Sequence, residues 1–177
     1  MRKILVSVAF AFVALFNAGG ASAQTATQNI NIPAEVLAYC TINGLATGTV
    51  INRSIPVTGA GVVGAVTAIP AIANVACNGP TDLLATSISG GVTTGVAPPS
   101  GFTNTIDYTG VATFGTATST INTANGTAIA NELGNVSSTA AATSDTLTVT
   151  ITPAQPALPL MVSSAYADIL RVTLTPQ

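Results

Sequence analysis

The chain has no histidine, no tryptophan and very few charged side chains. Its 177 residues include four Lys or Arg and six Asp or Glu. Without histidine, both the usual general base of enzymes and the commonest metal ligand are missing. The six acids are scattered, and no glycine-rich segment is followed by the Lys and Ser or Thr of a phosphate-binding loop. The sequence therefore predicts no catalytic residue, no cofactor and no metal site.

Basic residues are the scarcest charged class. Two of the four are Arg2 and Lys3, which leaves Arg53 and Arg171 for the rest of the chain. Nothing here could neutralise a phosphate backbone, so nucleic-acid binding is excluded. So few charges are unusual for a soluble monomer but suit a subunit that is packed into a polymeric array.

Residues 1–23 have the pattern of a secretory signal peptide. Arg2 and Lys3 precede an apolar stretch from Ile4 to Phe16, and Ala21-Ser-Ala23 is a small-residue cleavage site. We expect the mature chain to begin at Gln24 and to be exported. No later apolar run has the length of a transmembrane helix, so we expect no transmembrane segment in the mature chain.

Cys40 and Cys77 are the only cysteines. In an exported protein an even pair predicts a disulfide, here one that ties the first strand of the domain to its neighbour. A catalytic or metal-binding pair is the weaker alternative, because no histidine joins them and the spacing matches no zinc or redox motif.

Alternating apolar and polar residues predict strands throughout the mature chain, with Gly and Pro clusters between them. About seven short strands separated by turns favour an all-β fold, a β-sandwich. The segment 116–144 is small, polar and weakly patterned, and we expect a long surface loop with one short strand there. The predicted strands are Thr27–Thr41, Thr47–Asn52, Thr67–Cys77, Leu83–Ser89, Thr105–Phe114, Asp145–Thr152 and Tyr166–Thr175.

The final predicted strand stops two residues before the end of the chain. It places four apolar residues on one face: Tyr166, Leu170, Val172 and Leu174. A domain that ends on such a strand is expected to leave a sheet edge unpaired, which is a liability unless something covers it.

Two groups of side chains suggest chemistry, and each has a structural alternative. Asp107 and Asp168 could approach each other as a glycosidase pair does, but each lies within two residues of a tyrosine on a predicted strand, which favours a capping or turn role. Tyr39, Tyr108 and Tyr166 could form an exposed platform for a sugar. Such tyrosines are more often core or corner residues with one satisfied hydroxyl.

Several pieces of the mature chain resemble the spore coat protein U domain, the fold of major pilins of the archaic chaperone–usher pathway. The closing Tyr-x-Asp motif with its terminal strand is the most specific of these pieces. They are the export signal, Ala38-Tyr-Cys40-Thr-Ile42, Ala73-Asn-Val-Ala-Cys77, Phe102-Thr-Asn-Thr-Ile-Asp-Tyr108, Tyr166-Ala-Asp168 and Val172-Thr-Leu-Thr-Pro176.

The resemblance implies an incomplete immunoglobulin-like sandwich that lacks its final strand. A periplasmic chaperone would lend a strand to the groove, and at the outer-membrane usher the N-terminal strand of the next subunit would replace it. The domains would then be a signal peptide (1–23), a donor strand (24–33) and a pilin domain (34–177). Four donor-strand positions share one face: Ala26, Gln28, Ile30 and Ile32. The groove would be bounded by the terminal strand with Tyr166, Leu170, Val172 and Leu174.

Two functions therefore follow as hypotheses. The first is a structural subunit of a cell-surface pilus for adhesion and biofilm, a homopolymer built with the help of chaperone and usher. The alternative is a self-contained secreted β-domain, a coat or matrix protein or a carbohydrate-binding module. The two differ in whether residues 24–33 pair within their own chain.

Overall fold

The computed structural model shows that every regular element in the residues it describes is a β-strand. The described residues are 34–43, 54–59, 61–66, 68–124, 130–163 and 165–177. Within them, no helix is long and apolar enough to cross a membrane. The strands are β1 (Cys40–Ile42), β2 (Ile72–Cys77), β3 (Thr81–Ser87), β4 (Val92–Thr93), β5 (Thr105–Ile106), β6 (Tyr108–Phe114), β7 (Ala117–Asn122), β8 (Glu132–Leu133), β9 (Ser137–Thr139), β10 (Thr143–Pro153) and β11 (Leu170–Pro176).

The strands form two main antiparallel sheets and one small pair. The first sheet has the order β1-β2-β10-β6-β7. In the second, β3 pairs with β11 on one side and with the short strands β8 and β9 on the other. The third sheet is the pair β4-β5. This all-β arrangement confirms the predicted fold class and is consistent with a β-sandwich.

The core lies where the inward faces of the sheets meet. Along β6 and β7, side chains alternate strictly between buried and more exposed positions. The largest fully buried side chains include Phe114 of β6, Leu83 of β3 and Ile121 of β7. Gly110 also faces this core, and a Cβ there would lie 3.0 Å from Ile121 and 3.1 Å from Leu170. Glycine at this position permits the close approach of β11 to the first sheet.

The predicted disulfide is present between Cys40 and Cys77. The two residues face each other in the register of β1 and β2, so the bond joins the first described strand to its neighbour, as expected. Close by, the Cys40 sulfur lies 3.6 Å from Oγ1 of Thr81 in the second sheet. The bond therefore sits where the two sheets come together.

The prediction of a long loop over 116–144 was wrong. This segment contains β7, β8 and β9, and it runs into the start of β10. The alternation was hidden because the inward positions of β7 include Ala117 and Ser119, which carry little or no apolar signal. Ser119 is nonetheless fully buried, since its hydroxyl accepts from the Ala85 N–H (2.9 Å) and donates to the Asn135 carbonyl (2.6 Å).

Three predicted strands are shorter in the described residues than their patterns indicated. The strand predicted over Thr67–Cys77 begins at Ile72. The last one starts at Leu170 rather than Tyr166, because Ala167 only bridges Thr93 and Asp168 turns its carboxylate onto neighbouring groups. The first was predicted over Thr27–Thr41, but residues 34–39 lie outside any strand. The donor positions Ala26, Gln28, Ile30 and Ile32, and the predicted strand Thr47–Asn52, fall outside the described residues.

Candidate functional site

The edge strand β11 defines the candidate site. It pairs with β3 along its whole length, from Leu170 opposite Ser87 to Pro176 opposite Thr81. Its other edge has no strand partner among the residues that the structure describes. A free edge presents a row of backbone N–H and C=O groups that can pair with another strand.

The inward face of β11 is apolar and only half-covered. Leu170, Val172 and Leu174 are half-buried and pack against the core, whereas the alternate residues, beginning with Arg171, are exposed. The sequence had placed the same three apolar residues on one face. Tyr166, predicted to share that face, precedes the strand and serves a different role.

A second free edge faces β11 from the first sheet. β10 pairs with β2 only as far as Leu147, whereas its residues 148–153 pair with β6 on one side alone in the described structure. Val149 and Ile151 of this half are half-buried and pack against the same core. We call the free edges of β11 and of β10 residues 148–153, with the apolar side chains between them, the open side.

A cleft of about 680 Å³ lies at the Leu170 end of the open side. Ile151 and Leu170 line it from the two sheets. Residues 54–59 and 61, with the segment 160–163, form its outer wall, and most of the lining side chains are apolar. The cleft is therefore a continuation of the open side towards one end of the domain.

The opposite side of the domain is closed by hydrogen bonds. There the edge of β7 is capped by Asn135, whose side chain accepts from the Thr120 N–H (2.6 Å) and donates to the Thr118 carbonyl (3.1 Å). The Ser137 hydroxyl accepts from the Thr118 N–H at 3.0 Å. A Cβ on Gly134 would lie only 2.6 Å from the Thr120 oxygen, so glycine is needed for this close approach. Side-chain groups thus satisfy the β7 edge, and a strand cannot add there without displacing them.

Asp168 holds the beginning of β11 in place. Its Oδ2 accepts from the Ser87 hydroxyl (2.5 Å) and the Tyr108 hydroxyl (2.7 Å). Its Oδ1 accepts from the N–H groups of Ser89 (2.8 Å) and Ile169 (2.7 Å). A carboxylate offers about four acceptor sites, so all of them are engaged by the protein. The capping role expected for Asp168 is confirmed.

Asp107 lies in a different environment. It is half-buried, and this burial is the main reason that the pKa of its carboxyl group is raised. A hydrogen bond with Thr123 lowers the pKa, whereas the nearby charge of Glu132 raises it further. The two acids therefore differ: Asp168 accepts four hydrogen bonds from the protein, whereas the Asp107 carboxylate is influenced by Thr123 and Glu132.

Tyr108 and Tyr166 both line the cleft, whereas Tyr39 lies elsewhere, so the three tyrosines do not form one platform. Tyr108 is 2% exposed, and burial, together with the adjacent Asp168 carboxylate, raises its pKa well above 10.0 although the Ser87 hydrogen bond opposes the rise. The Tyr166 hydroxyl donates to the Met161 carbonyl at 3.0 Å. Only Tyr39, which is 55% exposed, presents its ring to solvent. Tyr108 and Tyr166 are thus tyrosines with satisfied hydroxyls, as the structural alternative predicted.

Sequence reasoning missed the polar residues that organise this site. Ser87 is fully buried, donates to Asp168 and accepts from the N–H groups of Gly90 (2.9 Å) and Gly91 (3.1 Å). The Gly-Gly pair signalled a turn, but nothing in the pattern marked the serine before it or Asn135 on the far side.

Comparison of the chain with protein-family models, curated protein sequences and solved structures gave no significant match. The geometry of the open side is therefore the feature that bears on the function of this chain.

Proposed function

We propose that this chain is a structural subunit of a cell-surface fibre, in which the open side accepts an N-terminal strand from a neighbouring subunit. In this proposal the domain is an incomplete immunoglobulin-like sandwich of the spore coat protein U type. Main-chain hydrogen bonds to the free edge supply affinity, and alternate side chains of the donor fill the groove.

The observation that carries the proposal is the contrast between the two sides of the domain. The β7 side is blocked by Asn135 and Ser137, which use hydrogen bonds that another strand would need. The open side has two free edges and no comparable block in the described residues. Natural sheets blunt edges that must not pair. A domain that blocks one side and leaves the other apolar side uncovered is suited to strand addition there.

The energy available from strand addition is substantial. Five half-buried side chains line the open side: Val149, Ile151, Leu170, Val172 and Leu174. Complete burial of such a side chain stabilises by about 1.5–3 kcal/mol relative to full exposure. Less than about a third of each side chain is exposed, so covering that part contributes at most roughly 0.5–1 kcal/mol for each. Backbone hydrogen bonds along β11 add to this, which makes an inserted strand difficult to withdraw.

The donor in this proposal is residues 24–33, which lie outside the described structure. An extended strand rises about 3.3 Å per residue, so ten residues are long enough to follow the seven residues of β11. Ile30 and Ile32 are the large apolar residues on one face, with Ala26 and Gln28 at the preceding positions of the same face. A one-residue slip would turn both isoleucines outward, so they would set the register.

The proposal extends to the route of assembly. The predicted signal peptide directs the chain to the periplasm, where a chaperone covers the open side until an outer-membrane usher exchanges it for the donor strand of the next subunit. The product is a homopolymeric pilus on the cell surface, a structure suited to adhesion and biofilm formation.

A double variant of the donor face tests the proposal. Ile30→Asn with Ile32→Asn should give a subunit that folds and binds its chaperone but builds no fibres. The matched control is Asn29→Ser with Asn31→Ser, which alters the other face of the same segment and should leave fibres unchanged. Electron microscopy of cell surfaces and heat-resistant ladders on denaturing gels are the measurements. Normal fibres from the isoleucine variant would exclude donor-strand exchange.

The cleft favours one alternative, a self-contained secreted β-domain that binds a ligand or serves in a coat or matrix. On that hypothesis the mature chain, expressed alone in the periplasm, should accumulate as a soluble monomer with residues 24–33 paired within their own chain. A fibre subunit expressed in the same way should aggregate, be degraded or polymerise. Size-exclusion chromatography of the periplasmic extract distinguishes the two.

A further inference from the structure

Exposed apolar side chains are concentrated at the two ends of the domain. β3 runs from one end, which we call the base, to the other, which we call the tip, and β11 runs back from tip to base. Of the twelve large apolar side chains that are exposed in the described residues, ten lie at these ends. Three are at the base (Val36, Leu37 and Tyr39) and seven at the tip (Val57, Val62, Val96, Phe102, Leu158, Val162 and Ile169).

The base group is anchored by hydrogen bonds to Asn78 although it belongs to no strand. Asn78, in the turn before β3, donates from its side-chain amide to the Leu37 carbonyl (2.8 Å), and its side-chain oxygen accepts from the Tyr39 N–H (2.8 Å). Its own N–H donates to the Tyr39 carbonyl at 3.1 Å. The backbone is thereby fixed while Val36 and Leu37 remain 81% and 75% exposed.

The tip group is also built on a connected framework. Gln155 accepts from the Val63 N–H (2.9 Å) and donates to the Gly61 carbonyl (3.2 Å), which joins the turn at 57–63 to the segment before β11. That segment in turn bridges Thr103 through Leu160. The three tip segments 54–66, 94–104 and 154–163 contain no charged residue. Val162, at the rim of the cleft, is fully exposed.

Chain length dictates where the base of one subunit lies when its donor segment occupies a neighbour. Only two residues separate the end of that segment, Pro33, from Val36. Three residue steps span at most about 10 Å, so the base must lie within about 10 Å of the point where the donor leaves the groove. All pairings between the strands of this domain are antiparallel within the described residues. A donor antiparallel to β11 leaves the groove at the tip.

We propose that the apolar base of each subunit docks on the apolar tip of the subunit that accepts its donor strand, a body-to-body contact between copies of this chain. The inference rests on the proposed function and adds a second interface to it. The contact is heterologous, joining two different surfaces, so it repeats along a fibre rather than closing a dimer. It explains why large apolar side chains are left exposed at both ends in a chain with so few charges.

Cross-linking in assembled fibres tests this contact. In the full chain, Val36→Cys is combined with Val162→Cys, two exposed positions whose replacement leaves the core intact. Fibres are treated with a short bismaleimide and analysed on reducing denaturing gels after complete dissociation. A ladder of covalent dimers and higher oligomers is expected, at least ten times stronger than in either single variant. Mass spectrometry verifies that the native Cys40–Cys77 bond is retained.

Two matched pairs identify the orientation. Val36→Cys with Ala141→Cys places the second thiol in a turn at the base, and it would cross-link if the donor ran parallel to β11. Val36→Cys with Val136→Cys places it on the side of the domain, beside Ser137, which pairs with Leu83 in the middle of β3. Intact fibres in which the Ala141 or Val136 pair cross-links best, or in which no pair cross-links, overturn the head-to-tail contact and leave donor exchange standing. A chain that remains a soluble monomer and forms no fibres refutes both.

Discussion

Replacing Asp168 with asparagine should weaken the start of β11 far more than the small change in shape suggests. The Ser87 hydroxyl already accepts from the N–H groups of Gly90 and Gly91, so its own hydrogen must be donated to Asp168. An asparagine amide turned towards Ser87 would bring a second donor to an oxygen with no acceptor site left. Turned the other way, the amide would face the N–H groups of Ser89 and Ile169, which are also donors.

The magnitude follows from the bonds that are lost. A hydrogen bond to a charged group contributes about 1.5–3 kcal/mol, and either orientation of the amide removes two of the four. Allowing for partial rearrangement, we expect Asp168→Asn to lower the free energy of unfolding by about 2–4 kcal/mol. At about 3 °C for each kcal/mol in a domain of this size, Tm should fall by roughly 6–12 °C.

The assay is guanidinium and thermal unfolding of the purified mature protein, followed by far-UV circular dichroism and by tyrosine emission, since the chain has no tryptophan. The control is Asp82→Asn, because Asp82 accepts from Ser138 and Gln177 on the exposed surface near the base. That variant should lose no more than about 1 kcal/mol. Equal stability of the Asp168 and Asp82 variants would show that the carboxylate does not anchor β11.

Three further perturbations have expected outcomes. Cys40 and Cys77 are separated by 37 positions, so replacing both with serine should lower the free energy of unfolding, measured in denaturant, by about 4 kcal/mol. Mass spectrometry of the wild-type protein without reductant should find no free thiol. The raised pKa of Tyr108 means that the stability it contributes is present below the ordinary value of 10.0 and is lost as pH rises through the higher folded value. Stability should therefore decline above about pH 10 in the wild type and less steeply in Tyr108→Phe. Val172→Asp should abolish fibre formation and reduce subunit yield because it buries an unpaired charge. The control Thr173→Asp, on the exposed face, should do neither. Equal yields and equal assembly of the two variants would show that the inward face of β11 is not covered.

The sequence predicted the strands whose inward residues are large. The Leu, Val and Ile alternation of β10 and β11 could be recognised from the residues alone, and the cysteine pair was correctly assigned. β7 was missed because its inward positions include Ala117 and a buried serine, Ser119, which contribute no hydrophobic periodicity. The beginning of β11 was misplaced because Tyr166 has the correct parity, although its hydroxyl is bonded to the Met161 carbonyl outside the strand.

What the sequence by itself determined is the all-β class, the disulfide, and the inward face of the last strand, because these follow from composition and from a period of two along the chain. Only the tertiary structure decided which edges are blocked and which are open. Asn135 closes the β7 edge through groups about 15 residues away in sequence, and Asp168 reaches Ser87 across 81 positions. Such bonds depend on which strands become neighbours, and local pattern carries no information about neighbours that are distant along the chain.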